Sequence, residues 1–85
     1  MKEFKYTITD ALGIHARPAG LLAKEARRFQ SVCTLTKGDA TYKLSQLMML
    51  MSMGIRCGDE VTVRAEGADE DAAIAALAAF FRAHL

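Results

Sequence analysis

The sequence has no tryptophan, a single proline, two cysteines and almost no net charge, and each scarcity closes off a class of protein. A formal net charge of +1 gives no overall drive toward nucleic acid or a membrane surface, so any steering by charge has to be local. Cys33 and Cys57 lack the paired CxxC spacing of a zinc site, and one disulfide would be a thin framework for a secreted domain. Both are read as reduced thiols, and neither a metal nor a cofactor is expected. The longest apolar run, Ala72 to Phe81, is shorter than the roughly 20 residues that span a bilayer, and Met1 to Lys5 has no apolar signal core. The default is a cytoplasmic location without membrane insertion. Linkers, low-complexity tracts and internal repeats are also missing, so residues 1–85 read as one small domain. A hydrophobic content of 52% argues for a packed core and against disorder.

The alternation of Phe4, Tyr6 and Ile8 with Glu3, Lys5 and Thr7 predicts a strand over Lys2 to Ile8 with one buried face. Ala19, Leu22, Ala26 and Phe29 recur at helical spacing and predict a helix from Ala16 to Phe29, with Lys24, Glu25, Arg27 and Arg28 off the apolar stripe. Val32 to Lys37 and Thr41 to Leu44, separated by Gly38 and Asp39, suggest a hairpin. A second helix is expected over Leu47 to Met53, with Ser45 as its cap and Gly54 and Ile55 closing its end. Val61, Val63 and Ala65 mark a fourth strand. Asp69 is placed as the cap of a last helix that presents Ile74, Leu77 and Phe81 on one face. The order βαββαβα suits an α+β fold, an open-faced β-sandwich whose antiparallel sheet carries its helices on one side.

The single proline marks the segment that carries chemistry, Gly13-Ile14-His15-Ala16-Arg17-Pro18-Ala19. Proline fits a first helical turn, where backbone N–H groups lack an intrahelical partner, and the remaining free donors with the positive end of the helix dipole favour an anion. His15 just outside that turn offers a ring nitrogen as nucleophile, and Arg17 offers several donors to phosphate oxygens. The corner can therefore hold a phosphoryl group. The second helix points elsewhere: a short helix on a sheet buries one stripe, here Leu50 and Met53, so Leu47, Met48, Met49 and Met51 cannot all be inside. An exposed methionine-rich face suits docking to several partners.

Together with Leu47 to Ile55 and Gly58-Asp59-Glu60-Val61, this segment resembles the histidine-containing phosphocarrier proteins, HPr, of the bacterial sugar phosphotransferase system, over the whole chain. The resemblance implies a four-stranded sheet of order 1-4-2-3 with three helices on one face. It implies a carrier rather than an enzyme, with His15 accepting a phosphoryl group through Nδ1 from phospho-enzyme I and passing it to IIA domains of sugar permeases. Arg17 steadies the phosphate, and Ala16 and Pro18 support the helix start. The docking surface carries over to Gly20, Leu21, Lys24, Arg27, Leu47, Met48 and Met51. The family commonly has a regulatory serine at position 46, where this chain has Gln46, so that input is in doubt, with Ser45 a weak substitute. Met49 is a further departure on the same face. Two other readings stay open: a regulatory paralogue in a nitrogen-related or dihydroxyacetone-kinase phosphorelay, and an interaction module without turnover. A carrier that visits several partners is expected to be a monomer.

Overall fold

The computed structural model describes residues 1–85, and its element order is the expected βαββαβα. Strands β1 (Lys2–Thr7), β2 (Val32–Lys37), β3 (Ala40–Lys43) and β4 (Glu60–Glu66) form one antiparallel sheet in the order β1-β4-β2-β3. Phe4 lies across from Val63 and Tyr6 across from Val61, while Leu35 faces both Val63 and Tyr42 in register. Inward residues of the two central strands are therefore stacked side by side: Cys33, Leu35, Val61, Val63 and Ala65 are all buried. Helices α1 (Ala16–Ala26), α2 (Leu47–Ser52) and α3 (Glu70–His84) cover that face. Helix α3 packs on β1 and β4, α2 lies toward β3, and α1 contacts both other helices. Phe81 of α3 meets Phe4 and Tyr6 edge-to-face, with ring centroids 5.6 and 5.5 Å apart.

Several boundaries differ from the sequence expectation for local reasons. Helix α1 stops at Ala26 rather than Phe29, because Arg28 and Phe29 donate to the carbonyls of Glu25 and Ala26, three residues back, which tightens the chain out of the α-helix. Phe29 still packs against the core, so the apolar stripe was correctly placed even where the helix was not. Strand β3 begins and ends one residue earlier than expected, and β4 gains a residue at each end. Leu44, beyond β3, remains buried and donates its N–H to the Cys33 carbonyl.

Neither expected side-chain cap forms. The residue before α2 is Gln46, and no side chain caps that helix, so Ser45 does not have the assigned role. Instead the Gln46 carboxamide accepts the Lys43 N–H at 3.3 Å and closes the turn leaving β3. Asp69 does precede α3, but its carboxylate is not spent on the helix. It accepts the N–H groups of Gln30 and Ser31, at 2.8 and 2.9 Å, and the Ser31 hydroxyl. These bonds hold its carboxyl below the usual carboxylate range, with the Ser31 hydroxyl the leading cause. The α1–β2 loop is thereby tied to the start of α3. The glycine closing α2 behaves as expected: Gly54 has φ +65 and delivers Ile55 into the core. Cys33 is buried, Cys57 is exposed, and both are free thiols; burial pushes the Cys33 thiol up.

Candidate functional site

Helix α1 begins where the sequence places a proline, and the local geometry follows from that. His15 sits at the N-cap with extended backbone (φ −112, ψ −179), and its carbonyl accepts the Ala19 N–H at 2.9 Å. Pro18 occupies the third helical position, where it has no N–H to satisfy. The two donors ahead of it, the N–H groups of Ala16 and Arg17, find neither a backbone acceptor nor a side-chain cap. They lie at the positive end of the helix dipole, which makes them the natural partners of an anion.

The loop that presents His15 is held from two sides. Gly13 has φ +66, and a Cβ there would stand 2.2 Å from the Ile55 carbonyl oxygen, so only glycine allows the two loops to approach. The Ile14 N–H donates to that same carbonyl at 3.2 Å. The loop behind it is braced in turn: Asp59 accepts the Lys37 ammonium and the Arg56 N–H, each at 2.8 Å, and these contacts hold its carboxyl low, Lys37 foremost. On the other side a main-chain oxygen of Leu85 accepts the N–H groups of Thr9 and Asp10 and the Thr9 hydroxyl, which joins the end of α3 to the start of the site loop.

His15 is 38% exposed by its side chain, and its Nε2 lies 3.8 Å from an oxygen of Asp10. The same Asp10 oxygen accepts the Leu12 N–H at 2.8 Å, so the carboxylate is anchored in its own turn. The imidazole opens on a shallow cleft of about 290 Å³ lined by Asp10, His15, Arg17, Pro18, Leu21 and His84. Asp10 and His84 were not singled out as site residues from sequence. Asp10 could have been noticed five positions before His15, whereas His84 arrives from the other end of the chain.

The remaining candidates separate into groups. Leu21, which lines the cleft, is 44% exposed, and Met48 and Met51 of α2, the helix in contact with α1, are 74% and 40% exposed. Met49 is exposed as well, as is Leu12, an apolar loop residue missed in the sequence. Leu47 is half-buried against the core, beside the fully buried Leu50. Gly20 is half-buried with open space where a Cβ would go. Lys24 lines a neighbouring groove with Leu21, Glu25, Arg28, Phe80 and His84. Arg27 is already engaged, donating to the Ser45 carbonyl at 2.8 Å, in a separate cleft that includes Lys43 and Cys33. Gln46 is exposed and Ser45 half-buried beside that contact. No helix is long and apolar enough to cross a membrane, and no group of side chains could hold a metal ion.

Comparison with known proteins points the same way as the cleft. Residues 2–83 match the family described as the PTS HPr component phosphorylation site. The chain is 45% identical over 80 residues to the phosphocarrier protein HPr of Mycoplasma genitalium, covering 93% of this chain and 91% of that protein. It is 44% identical over 77 residues to the HPr of Mycoplasma capricolum, covering 91% and 86%. Among solved structures, an HPr from Thermoanaerobacter tengcongensis superposes with a TM-score of 0.92 at 36% identity, over 98% of this chain and 93% of that one.

Proposed function

The chain belongs to the HPr family of phosphotransferase-system phosphocarriers, and from that premise we propose that His15 takes a phosphoryl group from phospho-enzyme I and delivers it to IIA domains of sugar permeases. The observation that carries this reading is the position of His15: an accessible imidazole at the start of α1, next to two unpartnered backbone N–H groups and Arg17. While Nε2 lies 3.8 Å from an Asp10 oxygen, the attacking nitrogen is Nδ1, as the family resemblance implies. Its lone pair forms the new P–N bond as the P–N bond to the donor histidine breaks, and that electron pair returns to the donor ring. The Ala16 and Arg17 N–H groups and the Arg17 guanidinium then face the phosphoryl oxygens. The transfer is a matter of alignment and charge stabilisation, so the carrier acts as a travelling substrate without a metal of its own.

The docking face on this reading is formed by the exposed Leu21, Met48 and Met51 of the contacting helices α1 and α2, with Gly20 allowing close approach and Leu47 supporting it from the core side. Lys24, with no acidic partner among the ion pairs, supplies local positive charge for an acidic protein surface. The protein works as a cytoplasmic monomer. Incubation with enzyme I and labelled phosphoenolpyruvate is the test: wild type takes up one label and His15→Ala takes up none. A wild type that stays unlabelled, or a His15→Ala variant that labels normally, overturns the proposal.

A further inference from the structure

His84 shares the cleft with His15 and Arg17, although nearly the whole chain lies between them in sequence. It stands in the last turn of α3, and the hydrogen bonds from Thr9 and Asp10 to a main-chain oxygen of Leu85 keep the end of that helix against the site loop. Its exposed ring lies against Phe80, with centroids 4.5 Å apart and planes inclined by 38°. It lines one cleft together with Asp10, Arg17 and His15, and the adjoining groove together with Lys24, Glu25 and Arg28 of α1. Asp10, the carboxylate lining the cleft, already accepts the Leu12 N–H. We propose that His84 is a second phosphate-binding residue of this site, donating a ring N–H to the phosphoryl group carried on His15, alongside Arg17.

An imidazole has at least one N–H to donate in either protonation state, so this contact does not require His84 to be charged. The inference rests on the reading of His15 as the phosphoryl acceptor and adds to it: the oxygens are gripped from α3 as well as from the start of α1.

NMR titration of the full chain with inorganic phosphate tests the contact without any partner protein. The His84 ring signals are expected to move together with the Ala16 and Arg17 amides. His84→Ala should weaken phosphate affinity by about two- to fivefold, the scale of an exposed charge-assisted contact. His84→Lys should restore most of it, whereas Arg82→Ala, which removes a charge from the same turn outside the cleft, should change nothing. A silent His84 ring, or equal affinities for wild type and His84→Ala, overturns the inference. Equal weakening by Arg82→Ala also overturns it, since the effect would then be bulk charge. Labelling His15 with phosphoramidate, read by mass spectrometry, keeps the two claims apart. Absence of a label at His15 counts against the acceptor reading, while the phosphate titration decides the role of His84 by itself.

Discussion

Replacing Gly13 by alanine should injure both the fold and the site, and Gly54→Ala separates the causes. The two glycines have nearly the same backbone, φ +66 and φ +65, so alanine meets the same left-handed conformational penalty at either, about 1–2 kcal/mol. At Gly54 nothing lies within 4 Å of the new methyl, and the cost ends there. At Gly13 the methyl would stand 2.2 Å from the Ile55 carbonyl oxygen and 2.7 Å from the Arg56 Cα, both backbone atoms that cannot swing aside like a flexible side chain. The loops must separate by about 1 Å or more, a strain comparable to overpacking a core, about 1–3 kcal/mol. The Ile14 bond to that same carbonyl weakens too, by about 1 kcal/mol. Gly13→Ala should thus cost at least about 2 kcal/mol more than Gly54→Ala. At about 4–8 °C per kcal/mol for a domain of this size, its Tm should lie about 8 °C or more below that of Gly54→Ala. Thermal unfolding followed by circular dichroism measures the difference, and phosphoryl uptake from enzyme I should fall in Gly13→Ala because His15 moves with the loop. Equal Tm values for the two variants would refute the reasoning, since they would show that the approach of the two loops constrains nothing.

Leu50→Ala should destabilise by about 2–5 kcal/mol in urea unfolding, because Leu50 is fully buried, whereas Met48→Ala should stay within about 0.5 kcal/mol of wild type yet raise the KM for transfer from enzyme I. Lys24→Glu should slow that transfer at low ionic strength and recover with added salt, while leaving the urea midpoint unchanged. Arg27→Ala should instead lower stability by about 0.5–1 kcal/mol, because its guanidinium holds the Ser45 carbonyl. Asp69→Asn tests the loop tie through pH. Its carboxyl is held below the unfolded value of about 3.9, so the ionised form stabilises the fold above that pH and the benefit fades as pH falls through the lowered value. Urea midpoints of wild type and Asp69→Asn should therefore differ most near pH 7, begin to approach each other at about pH 4 and converge only as pH falls through the lowered native value.

Much of the architecture was legible because burial imposes periodicity. The stripe Ala19, Leu22 and Ala26 and the alternation of Val61, Val63 and Ala65 follow from the need to hide apolar surface on one face, as does the inward Leu50 of α2, whereas its expected companion Met53 falls past the helix end and is only half-buried. Capping was less legible, because Ser45 and Asp69 have side chains that serve any nearby donor. Asp69 found stronger partners in Gln30 and Ser31, 39 and 38 residues away in sequence, than in its own helix. Helix ends were misplaced where hydrogen bonds drifted to three-residue spacing at Arg28 and Phe29, a change of register that composition does not signal.

Local spacing along the chain sets the strand and helix order, the inward faces, and the corner at which His15, Arg17 and Pro18 meet, since all of these arise between neighbours a few bonds or one helical turn apart. The tertiary structure alone decided which distant groups join that corner. It brought His84 to the cleft through the hydrogen bonds of Leu85 with Thr9 and Asp10, set Ile55 against Gly13, and occupied Arg27 with Ser45 while leaving Lys24 unpaired. Such contacts depend on how sheet and helices pack in three dimensions, and no local spacing along the chain encodes them.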